Sequence, residues 1–190
     1  MSSRESYQPG PAAGAEVQKE GDKWTLVVIR ELRHPPAMVW EALTDPAQLA
    51  EWAPFDADRN LGAAGPAKLS TVGAPTPQVA EIVVKRAEPP RLLEYTWGGD
   101  LRWELEPLAG GGTRLRLWHA IDNRFIVWGA AGWHICFDVL ERLLAKDPIG
   151  RLVGPPVMKL EGWKRLTGEY EKQFRVETPG WASGAKPWKE

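Results

Sequence analysis

Three histidines, one cysteine and one strand-borne arginine are the side chains of this 190-residue chain most open to a chemical role. His119 sits in a run, 113–121, whose side chains alternate with period 2. It shares a face with Leu115, Leu117 and Ile121, whereas Arg114 and Arg116 take the other face. His119 is therefore expected to point inward. An inward imidazole can orient a ligand, or act as an acid or base near neutral pH. It can also be a structural histidine bonded to a backbone carbonyl or to Tyr95, and buried polar groups are normally satisfied locally in this way.

The other candidates read more plainly. His134 and Asp138 stand four apart and could pair on a helix. They fall on its polar arc, so a solvated pair is expected. His34 precedes Pro35-Pro36 without a visible partner. Three histidines on three elements lack a ligand spacing such as two His four apart with a Glu between, so neither a metal site nor a cofactor is expected. Cys136, among Ile135, Val139 and Leu140, reads as a small hydrophobe rather than a nucleophile. There is no Gly-x-Ser-x-Gly elbow. Gly110-Gly111-Gly112 lacks the Lys-Ser/Thr of a phosphate loop. No catalytic residue is assigned. Arg30 shares its alternation with Leu26, Val28 and Leu32, and an inward arginine must be paired. Its partner is either a protein carboxylate, in an ion pair at the sheet edge, or a ligand carboxylate.

The tryptophans number eleven, an unusual load, and each can bury about 150–250 Å². Trp97 alternates with Tyr95 and Leu93, and Trp103 with Leu101 and Leu105, so both should point inward. Trp118 lies on the face of Arg114 and Arg116. Trp128 lies in Phe125-Ile126-Val127-Trp128, read as an apolar connector. A loop this apolar should not be solvated, which suggests a lid or a dimer contact, with plain core packing the alternative for this and each other indole.

Positioning these groups needs a sheet and a long helix. Residues 24–33 alternate and are β-branched at the centre, which predicts a strand. Pro36 opens a short helix, and Asp45-Pro46 supplies the N-cap and first position of a second. Strands are predicted at 56–61, 66–72, 78–87, 91–97, 101–107 and 113–121, separated by Gly- and Pro-rich breaks. From Trp133 to Lys146 the apolar residues fill an arc of about 200°, which suggests a helix buried on more than one side. Leu160, Trp163, Leu166, Tyr170 and Phe174 mark a second amphipathic helix or a bent continuation. Residues 1–22 and 176–190 are Gly/Pro-rich without an apolar period and read as flexible tails, leaving 23–175 as one domain.

Composition limits the function class. Apolar residues make up 43% and charged residues 26%, an ordinary globular balance. With 24 basic and 25 acidic residues the net charge is −1, which argues against a nucleic-acid binder. A single cysteine excludes an intramolecular disulfide and fits a reducing cytoplasm. No apolar run approaches the length of a membrane span, and the polar N-terminus does not resemble a secretory signal.

The run from Arg30 to Pro46, with Val39-Trp40 and Asp45-Pro46 its most specific steps, resembles the opening of the SRPBCC (START/Bet v-like) superfamily. Glu94-Tyr95-Thr96-Trp97, the run from Gly112 to His119 and Gly132-Trp133 are similar to its branch of activator-of-heat-shock-protein-90-ATPase homologues. The resemblance spans residues 24–175 and implies an α+β helix-grip fold: a curved seven-stranded antiparallel sheet wrapped around the C-terminal helix, with two short helices after the first strand. It also implies an apolar cavity between sheet and helix. The chain departs from the shorter family pattern in an insert at 147–156 and an added stretch at 157–174. The expected function is binding of a small apolar or aromatic ligand lined by Tyr95, Trp97, Trp103, Leu117, His119, Trp128, Cys136 and Leu140. The alternatives are a cyclase, dehydratase or hydrolase in the same cavity, or a protein-interaction module forming a homodimer or a chaperone contact.

Overall fold

The computed structural model describes residues 4–76 and 78–176. Among the described residues nine strands and four α-helices follow one another: β1 (Ala15–Glu20), β2 (Lys23–Leu32), α1 (Pro36–Thr44), α2 (Pro46–Trp52), β3 (Phe55–Ala57), β4 (Gly65–Thr71), β5 (Gln78–Val84), β6 (Arg86–Glu88), β7 (Leu92–Thr96), β8 (Asp100–Pro107), β9 (Thr113–Ala120), α3 (Ile126–Leu144) and α4 (Trp163–Phe174). Six strands pair antiparallel in the order β1-β2-β9-β8-β7-β6, and three in the order β3-β4-β5. The sheet grips α3, giving the expected helix-grip architecture.

The strand count exceeds seven for two reasons. The predicted strand 78–87 breaks at Lys85, where the chain stops pairing with β4 and starts pairing with β7. Lys85 N–H donates to the Glu94 carbonyl at 2.8 Å, joining the two sheets at the bend. The second addition is β1, in a segment expected to be a tail. It runs along β2 from Ala15↔Val28 to Glu20↔Lys23 and forms the outer edge of the large sheet. Residues 4–14 also pack against the domain, so the expectation of a flexible 1–22 fails for residues 4–22. What holds the segment is strand pairing, polar contacts and scattered apolar anchors at Tyr7, Pro9, Ala12, Ala15 and Val17, too irregularly spaced to leave an apolar period in the sequence. Of the second expected tail, residues 177–190 lie outside the described residues.

Register brings the inward positions into one layer. Leu26 faces His119, Leu101 faces His119 from the other side, and Trp103 lies opposite both Leu117 and Leu93. All of these are buried. The outward positions form charge ladders instead: Arg102 pairs with Glu94 and Glu104, and Arg114 with Glu31 and Glu106. Trp118, half-buried on this outer face, lies beneath the guanidinium groups of Arg102 and Arg116.

α1 and α2 start where the sequence places them. Pro36 and Pro46 occupy first-turn positions, and the Asp45 carboxylate accepts from Gln48 N–H at 3.0 Å. α3 begins earlier than expected. The Asp122 carboxylate accepts from Arg124 N–H at 2.9 Å and nucleates a 3-10 turn over 123–125 that runs into Ile126. Phe125 to Trp128 is therefore the entry turn of the helix, not a connector or lid. Gly129 lets this turn lie close to the sheet, since a Cβ there would come 2.9 Å from Ile121 Cδ1 and 3.4 Å from Leu26 Cδ2.

Candidate functional site

Between the sheet and α3 the side chains form a continuous aromatic cluster. Trp103 from β8 meets Trp133 from α3 edge to face, with centroids 5.5 Å apart. Trp52 from α2 meets Trp103 at 6.2 Å, and Phe137, one turn beyond Trp133, lies 6.1 Å from Trp103 and 6.2 Å from Trp133. Phe55 from β3 lies 6.1 Å from Tyr95 and 5.2 Å from Trp97. Trp97, just past the end of β7, completes the chain with Trp133 at 5.9 Å and His119 at 6.0 Å. The edge-to-face pairs among them, Trp103–Trp133, Trp52–Trp103, Phe55–Tyr95 and Trp97–Trp133, each contribute about 0.5–1.5 kcal/mol beyond their area burial. Leu117 and Leu140 are fully buried in the same core. One outer hollow of the molecule is bordered by Arg91, Glu104, Arg114 and Arg116, and another reaches Tyr95 and Leu101 from the outer face of the sheet.

His119 is the polar group in this cluster, only 3% exposed. Trp133 Nε1–H donates to its Nδ1 at 3.1 Å. Nδ1 is thus a lone-pair acceptor, and the neutral ring carries its proton on Nε2. Burial pushes the pKa down to about 4, with the Trp97 backbone opposing. Nε2 is buried and reaches no hydrogen-bonding partner among the described residues. Trp103 Nε1–H is likewise buried without a bond. Burial raises the Tyr95 hydroxyl well above the ordinary phenol range, and the Trp103 indole opposes this.

One ring of the cluster is half-buried and sits at its rim. The Trp97 Nε1–H donates to Thr71 Oγ1 on β4 at 3.0 Å, tying the large sheet to the small one. Gly98-Gly99 follows at φ +59° and +148°. A Cβ on Gly99 would come within 1.8 Å of the Ala120 carbonyl oxygen, so the hairpin can approach β9 this closely only with glycine.

A second polar cluster lies on the far side of α3. Arg30 Nη1 donates to Asp138 at 2.8 Å and to Glu141 at 3.2 Å, so its inward position is met by protein carboxylates. The Tyr7 hydroxyl donates to Asp138 Oδ2 at 2.6 Å. The Tyr170 hydroxyl donates to the Ala13 carbonyl at 3.0 Å and accepts from His134 Nδ1 at 2.8 Å. His134 is 4% exposed, not solvated as its arc suggested, because α4 and the N-terminal segment cover that face. Burial lowers its pKa, with Asp138 opposing, and its Nε2 stands 3.7 Å from Asp138.

Of the expected lining residues, Tyr95, Trp97, Trp103 and His119 come together in the ring cluster and Leu117 and Leu140 in the core around it. Trp128 stands on the entry turn of α3 beside Phe125, 6.2 Å away. Cys136 is buried, and burial pushes its thiol up to about 12; the charges that reach it are those of Arg151 and Asp138. Sequence reasoning missed Trp133, the partner of His119, although its place on the apolar arc of α3 was the available signal. It also missed Phe55, Trp52 and Thr71, which reach the cluster only through tertiary packing. Among the described residues, no group of three His, Cys, Asp or Glu could hold a metal ion, and no helix is long and apolar enough to cross a membrane.

Comparison with known proteins agrees with this architecture. No curated protein matches the chain significantly. Among solved structures, EF2215 of Enterococcus faecalis, a conserved protein of unknown function, superposes with a TM-score of 0.65 at 17% identity, over 86% of this chain and 92% of its own. CalU16 of Micromonospora echinospora gives 0.59 at 22% identity, over 85% and 92%. MLL2253 of Mesorhizobium loti gives 0.56 at 28% identity, over 66% and 99%. The family model for activator of Hsp90 ATPase homolog 1-like proteins matches residues 33–145, from the strand end before α1 through the whole of α3. With that match over more than half its length, and with the strand, helix-pair and gripped-helix order just described, the chain belongs to the activator of Hsp90 ATPase homolog 1-like family.

Proposed function

We propose that this protein binds a small apolar or aromatic molecule between the sheet and α3, around Tyr95, Trp97, Trp103, Leu117 and His119, without transforming it. The observation that carries the reading is the unpaired Nε2–H of His119, buried among aromatic rings. A buried donor without an acceptor costs about 1–3 kcal/mol, and a ligand oxygen would remove that cost. Mostly apolar walls with one or two placed polar groups are the usual chemistry of a small-molecule site. Leu140, Cys136 and Trp128 would act from α3, as the outer shell of the same site.

A cyclase, dehydratase or hydrolase is less well supported. General acid–base work needs a ring that gains and loses a proton near the working pH. Burial holds His119 at about 4, Trp133 occupies its Nδ1, and Glu94 and Glu104 pair with Arg102 on the opposite face. A protein-interaction role would rest on Trp118, which the Arg102 and Arg116 guanidinium groups already partly cover.

Native mass spectrometry of the purified protein tests the reading, followed by melting of the ligand-free protein against a small-molecule library. A non-covalent adduct, or a compound that raises the melting temperature in wild type and less in His119→Gln, is the expected result. A bare mass together with no stabilising compound would remove the proposal.

A further inference from the structure

The slot now filled by the Trp97 indole has its own chemistry. Three rings border it, Phe55 at 5.2 Å, Trp133 at 5.9 Å and His119 at 6.0 Å, and none carries a formal charge when the imidazole is neutral. The nearby polar atom without a bond is a donor, Nε2–H, because Nδ1 is already committed as an acceptor to Trp133. Trp103 Nε1–H, deeper in the cluster, is also a donor. The indole itself is held at the rim by one hydrogen bond to Thr71, is half-buried, and is followed by two glycines in left-handed or extended positive-φ conformations.

From this arrangement we infer that the site takes an uncharged, flat aromatic molecule bearing a carbonyl-type acceptor, which enters by displacing the Trp97 indole and accepts the His119 Nε2 proton. The inference rests on the binding reading above and specifies its ligand and its entrance. A planar ring replaces a planar ring between Phe55 and Trp133. The acceptor answers the unpaired donor. A carboxylate or ammonium group would be desolvated with no opposite charge among the rings bordering the slot, which is costly. Swinging the Trp97 side chain out breaks its hydrogen bond to Thr71 and gives up its contacts with Phe55, Trp133 and His119, which the incoming ring replaces, while the Trp97 N–H bond to the Gly99 carbonyl keeps the hairpin backbone in place.

The test uses three probes of nearly equal shape: 1-indanone with an acceptor, indane with none, and indane-1-carboxylate with a charge. Each is titrated into the full chain while the His119 imidazole and Trp133 indole resonances are followed by NMR. Indanone should bind about five- to tenfold tighter than indane, the scale of one hydrogen bond, and the carboxylate should bind weakest. In Trp97→Ala all the neutral probes should bind about tenfold tighter than in wild type, because the displaced state no longer has to be populated. In His119→Phe the preference for indanone over indane should vanish. Trp97→Leu serves the same comparison if the alanine variant does not fold. Equal binding of indanone and indane in wild type, preference for the carboxylate, or equal affinities in wild type and the Trp97 variant would overturn this inference while leaving a ligand site in place. Resonances unmoved by any probe in every variant would overturn the binding reading as well.

Discussion

Tyr7→Phe removes one oxygen atom and should measurably loosen the domain. The hydroxyl donates to the Asp138 carboxylate at 2.6 Å, from a segment 131 residues away in the chain. The ring stays in place, so no cavity forms. Hydrogen bonds to charged groups contribute about 1.5–3 kcal/mol. Asp138 keeps Arg30 at 2.8 Å and is not left unpaired, which points to the lower end of that range. A loss of about 1.5–2 kcal/mol in a chain of this size corresponds to a fall of about 3–8 °C in melting temperature. Differential scanning calorimetry at pH 7 reads it, with urea melts as the second measure. Asp138→Asn and the double variant complete a cycle, in which a coupling of about 1 kcal/mol is expected for groups in direct contact. The alkaline limb carries a further signature. Burial, then the Asp138 charge, raise the Tyr7 phenol above its ordinary value, so the folded state keeps a proton that the unfolded chain gives up near pH 10. The stabilisation is complete below that pH and is lost as pH rises above it. Tyr95 and Tyr170 shift the same way, so Tyr7→Phe should flatten only part of the alkaline slope. A melting shift under about 1 °C, or an additive cycle, would refute the view that this segment is bonded into the fold.

Stability should also fall on acidification between about pH 6.5 and 4, because His119, held at about 4 by burial, and His134, lowered in the same direction, take up protons more readily unfolded than folded. The His119 share is on the order of 3 kcal/mol by pH 4, so His119→Gln should flatten the acid limb of urea-unfolding curves, and an unchanged limb would exclude a neutral buried ring. Gly99→Ala should cost about 2–4 kcal/mol, since the new methyl group would collide with the Ala120 carbonyl at a positive φ. A variant that melts with wild type would mean the hairpin is not held against β9.

Local chemistry made much of this fold legible. Asp45-Pro46 announced α2, and the alternation of 113–121 placed His119 inward and Arg114 and Arg116 outward, as found. The shortfalls arose where distant pieces of chain decide the outcome. Ala15–Glu20 has the buried Ala15 and the half-buried Val17, too little for a pattern, and becomes a strand because β2 offers it a free edge. His134 lies on an arc that one helix alone would leave wet; α4 and residues 4–14 make it dry. Trp133 bonds His119 from fourteen positions away across the sheet–helix interface, a pairing that neither period announces.

The placing of β1 bears on how the protein keeps from sticking to itself. Inside it, the stretch Thr25-Leu26-Val27-Val28-Ile29 is uncharged and mostly β-branched, the composition that readily templates pairing between chains. β1 takes up the hydrogen-bonding edge of that stretch and presents Glu16, Gln18, Lys19 and Glu20, all exposed, in its place. Charged, short edges are how sheets discourage a further strand from joining. A chain shortened to begin at β2 would keep every residue of the aromatic cluster yet offer this apolar, β-branched segment as a bare edge, so β1 guards against strand addition as well as completing the sheet.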